Sequence, residues 1–181
     1  MAKVYLGLGT NMGDKEANLR TAVRLINDRI GKVTSLSSFY RTAPWGFVSD
    51  NDFLNAAACS ETLLDPLEVL HLTQAIEKEM GRMAKSVEGV YSDRPIDIDL
   101  LMYDDTVMQT PELTLPHPLM GERSFVMDPL AEIAGEVVHP VSGLTMEEMR
   151  KRLAQFINSS LKFETMAKRL YAAQPKSSLT V

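Results

Sequence analysis

The sequence holds one cysteine, Cys59, among its 181 residues. A lone thiol excludes an internal disulfide and any fold stapled by such bridges. It fits a reducing cytosol, so a cytoplasmic location is expected. Ala56, Ala57 and Ala58 precede it, and that apolar setting reads as a buried structural thiol rather than a nucleophile. Long hydrophobic runs are also missing. The stretch from Val4 to Leu8 is too short for a signal peptide, and nothing later reaches the roughly 20 apolar residues of a span, so no membrane partner is expected. Positive charge is not in excess. The net charge of −5 offers no general basic surface, which argues against nucleic acid as a partner. There is no internal repeat. Low complexity is confined to the tail from about Ala172, where Gln174-Pro175-Lys176-Ser177-Ser178 reads as disordered.

What is present is the make-up of a globular domain, with 45% hydrophobic and 24% charged residues. The length suits one well-buried core and is short for two. A single domain is therefore expected over 1–160, followed by a C-terminal extension over 161–181.

Patterning predicts the elements. Lys3 to Gly9 reads as a strand. Leu19, Ala22, Val23, Ile26 and Ile30 have the spacing of one helix face, with Asp14 as the cap. Val33 to Thr42 and Phe53 to Thr62 read as strands. Asp65-Pro66-Leu67-Glu68 supplies a cap, a first-turn proline and a third-position acid, so a helix should run to Met80 and stop at Gly81. Ile96 to Tyr103 alternates as a strand does. This order, βαββαβ, predicts an α+β fold with a ferredoxin-like core. Both helices should cover one face of an antiparallel sheet and leave the other free for a ligand. An extra strand near Leu113 to Leu115 and short helices around Asp128 to Ala134 should follow. The last expected helix starts at Thr145, with Glu148 completing a capping box and Met146, Met149, Leu153 and Phe156 on one face.

Strand parity then sorts the chemistry. Ile96, Ile98, Leu100 and Met102 should face the helices, leaving Asp97 and Asp99 side by side on the open face. Neighbouring carboxylates resist being charged together unless a cation joins them, and hard oxygen ligands suit magnesium. Spacing alone fits a metal pair and a solvated edge of unrelated acids equally. Tyr5, Gly7 and Gly9 share one face of the first strand, where a flat ligand could approach the backbone. Phe53 and Asn55 share a face of the third, a ring beside an amide that suits base recognition, although core packing also explains Phe53. The run Gly7-Leu8-Gly9-Thr10-Asn11-Met12-Gly13 departs from a dinucleotide fingerprint, because its third glycine is displaced and Arg41 stands where an acid is needed. Arg82, Lys85 and Arg94, with His117 and Arg123 further on, flank the aspartate pair as partners for a triphosphate would. Scattered cations also make an ordinary solvated face.

Taken together, several segments resemble the 6-hydroxymethyl-7,8-dihydropterin pyrophosphokinase family. They are Tyr5-Leu-Gly-Leu-Gly-Thr-Asn-Met-Gly-Asp14, Ser38-Phe-Tyr-Arg-Thr-Ala-Pro44, Phe53-Leu-Asn55, Ile76-Glu77 through Gly81-Arg82, Arg94-Pro-Ile-Asp-Ile-Asp-Leu100, Pro116-His-Pro118, Arg123-Ser-Phe125 and Pro129-Leu-Ala-Glu-Ile133. They recur in family order up to about Pro140. The Arg-x-x-Asp-x-Asp segment with Pro-His-Pro is the most specific.

The resemblance implies transfer of a diphosphate from ATP to 6-hydroxymethyl-7,8-dihydropterin, giving AMP. It implies that Asp97 and Asp99 hold two magnesium ions, with Arg82 and Arg94 also in the catalytic group. Phe53 and Phe125 would sandwich the pterin, and Asn55 would read its edge together with Thr42, Pro44 and Trp45. Gln74, Glu77, Arg82, Lys85, Arg94, His117 and Arg123 would line the ATP site. Pro44 to Asp52 and Met83 to Asp93 would be covers, and the protein a monomer or weak homodimer. The sequence departs from the family pattern at Ala84, where a second arginine is usual, and at Tyr91-Ser92-Asp93 before Arg94, where Asp93 would set a like charge near the phosphates. No family match extends beyond about Phe156. A non-catalytic ligand-binding module and an RNA-recognition domain share the element order. The faint RNA-binding echo in Trp45-Gly46-Phe47-Val48 falls in a loop of an acidic chain.

Overall fold

The computed structural model describes residues 1–43, 51–81 and 93–172, excepting the side chains of 163 and 165–172. Pro44, Trp45, Arg82, Lys85, Ala84, most of both expected covers and the tail from 173 lie outside the described residues.

β1 (Ala2–Thr10) is central. It pairs antiparallel with β4 (Phe53–Thr62) on one side and β5 (Asp97–Tyr103) on the other. β2 (Lys32–Leu36) pairs with β4, giving the order β2-β4-β1-β5, and β3 (Tyr40–Thr42) joins the far end of β4. The expected single strand from Val33 to Thr42 is thus two. Its pairing with β4 shifts register between Val33 and Ser35. At the break, buried Ser37 accepts the Ala57 N–H at 2.9 Å through its hydroxyl and donates its own N–H to the Ala57 carbonyl. A small hydroxyl there satisfies the backbone that the ladder leaves open.

The two helices between strands start where their caps predict. Asp14 accepts the Ala17 N–H at 3.0 Å to begin α1 (Lys15–Arg29). Asp65 and Glu68 form a reciprocal capping box that begins α2 (Pro66–Glu79). Gly81 at φ +97° ends α2 in the left-handed region, where glycine escapes the Cβ clash. Both helices pack on one face of the sheet. There Val4, Leu6 and Leu8 meet Leu19, Ala22 and Ile26 of α1 and Val69 and Ile76 of α2.

The opposite face is not wholly free, contrary to expectation. α3 (Ser124–Ala134), one helix rather than several short ones, packs with the start of α4 (Met146–Ala172) over half of it. Met127, Leu130 and Met146 bury Tyr5, Ala57 and Cys59 beneath them. β5 contributes one residue more to this second core than alternation predicts. Leu100 pairs with Leu6 but Met102 pairs with Tyr5, so a bulge falls at Leu101. An extra residue flips the faces that follow it. Met102, expected beneath the helices, joins Leu101 in the second core instead. The uncovered half of the sheet lies toward Gly7, Gly9 and Asp97.

β6 (Met108–Gln109) and β7 (Thr114–Leu115) form a small ribbon, the first of which has no clear sequence signal. α4 opens on the Thr145–Glu148 capping box and passes unbroken through the expected boundary at 160/161. Met146 is buried and Met149 and Leu153 pack against the core, but Phe156 is 70% exposed. The apolar face outlasts the surface it packs on.

Candidate active site

A pocket opens over the uncovered half of the sheet. Its floor is Gly7 to Gly9 of β1, and its walls carry Thr42, Phe53, Asn55, Arg94, Asp97, Asp99, Arg123 and Phe125. Eight residues singled out from the sequence therefore converge. Gln74, Glu77 and His117 are not among the lining residues.

Asp97 and Asp99 pair with Gly9 and Gly7 of β1, and both are half-buried. Glycine partners leave the surface beneath the carboxylates bare. At Gly9 the space is already tight, since a Cβ there would come 3.1 Å from Asn55 Oδ1. Asn55 is buried and donates from Nδ2 to Thr42 Oγ1 at 2.8 Å, which fixes the amide across β3 and β4. Phe53 lies two residues away on the same side of β4, and Phe125 comes from the first turn of α3.

Arg94 is almost fully buried, and its Nη1 donates to Asp97 Oδ2 at 2.9 Å. A guanidinium so deeply placed needs a carboxylate partner to offset its desolvation. Its backbone is held by Asn11, whose Oδ1 accepts the Arg94 N–H at 2.8 Å and whose N–H donates to the Arg94 carbonyl at 3.2 Å. Arg123 is buried as well, with its guanidinium 5.9 Å from the Phe125 ring centroid, within cation–π reach.

Glu77 acts from behind. Only 2% exposed, it accepts the Ile98 N–H at 2.8 Å from α2. Ile98 stands between the two aspartates on β5, beyond which no further strand lies among the described residues to accept that N–H. Glu77 thus supports the spacing of the pair. His117 sits beyond the β5 bulge, donating its N–H to the Leu101 carbonyl at 2.8 Å.

The donor chemistry of Asp97 and Asp99 fits magnesium. Two hard carboxylates share a strand face within a pocket that Arg94 and Arg123 also line. Among the described residues no group of three or more ligating side chains forms; magnesium commonly takes one or two carboxylates and completes its shell with water and substrate oxygens.

Asn11 and Asn51 carried no site role in the sequence reading, and Asn11 was visible only as part of a glycine-rich run. Asp93, which the sequence marks as a like charge near the phosphates, has its carboxylate accepting from the side-chain amides of Asn11 and Asn51.

A family model described as 7,8-dihydro-6-hydroxymethylpterin-pyrophosphokinase (HPPK) matches residues 5–135. The chain belongs to this family. It is accordingly an ATP-dependent diphosphotransferase of folate biosynthesis. The 2-amino-4-hydroxy-6-hydroxymethyldihydropteridine pyrophosphokinase of Porphyromonas gingivalis is 50% identical over 135 residues, covering 74% of this chain and 92% of that protein. The Bacillus subtilis protein of the same name is 43% identical over 134 residues, covering 74% and 78% respectively. Among solved structures, wild-type HPPK-DHPS of Plasmodium falciparum with SDX-DHP superposes with a TM-score of 0.73 at 16% identity. That likeness supports the mixed α/β fold with its antiparallel sheet. It covers 88% of this chain but 45% of the Plasmodium chain, so this chain spans under half of that longer protein.

Proposed function

We propose that this pocket joins 6-hydroxymethyl-7,8-dihydropterin to the diphosphate of ATP. The observation that carries the reading is the convergence of two half-buried carboxylates, two buried arginines, two aromatic rings and one buried amide on a single uncovered patch of sheet. Phe53 and Phe125 stack on the pterin, and Asn55, with Thr42 behind it, reads the polar edge. Asn55 Nδ2 is committed to Thr42, so its Oδ1 turns toward Gly9 and is the atom placed to accept from a ring N–H.

Asp97 and Asp99 would hold two magnesium ions, which when bound neutralise the triphosphate and align it. Arg94 orients Asp97 and presents positive charge beside it. Arg123 adds a second buried cation beside the Phe125 wall, placed to offset phosphate charge next to the pterin. In the transfer, the hydroxymethyl oxygen bonds to the β-phosphorus and releases its proton to solvent. The bond from that phosphorus to the α,β-bridging oxygen breaks, and AMP departs with the oxygen. In this reading Pro44 and Trp45 would serve the pterin and Arg82 and Lys85 the phosphates, and Gln74, Glu77 and His117 would serve the nucleotide.

The sheet order β2-β4-β1-β5 with α1 and α2 on one face supports describing the core as ferredoxin-like. A monomer or weak homodimer working in the cytoplasm completes the proposal, the lone cysteine supporting the compartment. Incubation with MgATP and the pterin tests the reading. AMP should accumulate in step with pterin consumed, and ADP as the nucleotide product would overturn it.

A further inference from the structure

Asp93 is an acid placed one residue before a buried arginine, at the rim of a site read as phosphate-binding. Its side chain does not line the pocket. Oδ1 accepts from Asn11 Nδ2 at 2.6 Å, and Oδ2 accepts from Asn51 Nδ2 at 3.1 Å. The Asn11 amide has only one workable orientation, because its Oδ1 must accept the Arg94 N–H. Its Nδ2 is therefore bound to face Asp93. Asn11 is 1% exposed, whereas Asp93 and Asn51 are exposed.

Three chain segments meet at this carboxylate. Asn11 follows the last residue of β1, just past Gly9. Asn51 precedes β4 by two residues, just before Phe53. Asp93 leads into Arg94 and the Asp97–Asp99 strand. Each segment delivers a different wall of the pocket.

We propose that Asp93 is a positioning residue whose carboxylate, bridging Asn11 and Asn51, fixes where Arg94 and the phosphate-facing wall stand relative to the pterin-facing wall. Its kinetic consequence rests on the function proposed above. An acid suits the position because both partners present N–H donors, and a carboxylate alone offers an acceptor oxygen to each. An amide at 93 has one acceptor and turns a donor toward the other asparagine.

The test compares Asp93→Ala, Asp93→Asn, Asn51→Ala and the Asp93→Ala/Asn51→Ala double variant, with melting temperatures taken alongside. Misplacing Arg94 should lower kcat/KM for ATP about tenfold in Asp93→Ala, while KM for the pterin stays within about twofold. Asn51→Ala should show a smaller loss of the same kind, and Asp93→Asn should fall between wild type and Asp93→Ala. The double variant should be no worse than Asp93→Ala alone, because both changes break one bridge. The dissociation constant of a non-hydrolysable ATP analogue should follow the same pattern without turnover. Additive losses, equal losses for both substrates, or an Asp93→Ala enzyme within about twofold of wild type would overturn the bridge. Failure of the wild type to form AMP would defeat the functional reading separately. The analogue's dissociation constants would then decide the bridge on their own.

Discussion

Replacing Asp97 with asparagine separates what the carboxylate does for the reaction from what it does for the fold. The side chain keeps its shape and loses its charge. Arg94, whose side chain is 7% exposed, then donates to a neutral oxygen at the 2.9 Å contact. The guanidinium keeps its charge and its hydrogen bond but loses the opposite charge that offsets its burial, so the fold should lose about 1–3 kcal/mol. For a chain of this length that is a fall in melting temperature of about 2–12 °C. The catalytic loss is read separately, as turnover of the folded enzyme. A carboxylate that helps hold magnesium at a diphosphate acts mainly in the transition state, and its removal should cut turnover by about 10²-fold or more. Asp99→Asn should match that catalytic loss without breaking the Arg94 contact. Turnover is read as AMP at saturating MgATP and pterin, and stability by calorimetry. Either variant turning over within about tenfold of wild type would show that the pair is a structural edge and not a metal site.

Phe53→Ala and Phe125→Ala should each weaken pterin binding by about 1–3 kcal/mol and spare the nucleotide; equal losses in titrations with both ligands would make the rings packing residues. Glu77→Leu should leave the buried Ile98 N–H without its acceptor and cost about 1–3 kcal/mol in chemical denaturation, whereas Glu77→Gln, which keeps an acceptor, should cost less. Glu132 accepts from the Ser38 N–H, the Ser38 hydroxyl and the Tyr40 hydroxyl. Those bonds, the Ser38 N–H first, hold its carboxyl below the ordinary value of 4.5. A depressed pKa contributes stability that is fully present above the unfolded value and fades as pH falls through the folded one. The melting-temperature gap between wild type and Glu132→Gln should thus be constant at neutral pH and narrow as the solution is acidified below about 4.5; a gap that widens on acidification would refute it.

Much of this arrangement was legible in the sequence because the relevant forces are local. Capping at Asp14, Asp65 and Thr145 depends on side chains within three residues of the helix start. Alternation along β1 and the first half of β5 correctly put Asp97 and Asp99 opposite the helix-facing residues Ile96 and Ile98. What escaped depends on distant partners. The bulge at Leu101 arises from register with β1 and leaves no periodicity that would announce it. Cover of the second face by α3 and α4 required knowing where the chain goes after β7. Asn11, Asn51 and Asp93 are far apart in sequence, and only the fold brings their side chains together.

Both terminal phosphates should pass as one unit to the pterin alcohol. The decisive measurement uses ATP labelled at the β-phosphorus, incubated with magnesium, the enzyme and 6-hydroxymethyl-7,8-dihydropterin. All of the transferred label should appear in the pterin product, with AMP unlabelled and formed in equal amount. Label retained on a nucleotide diphosphate, with the pterin carrying a single phosphate, would contradict it.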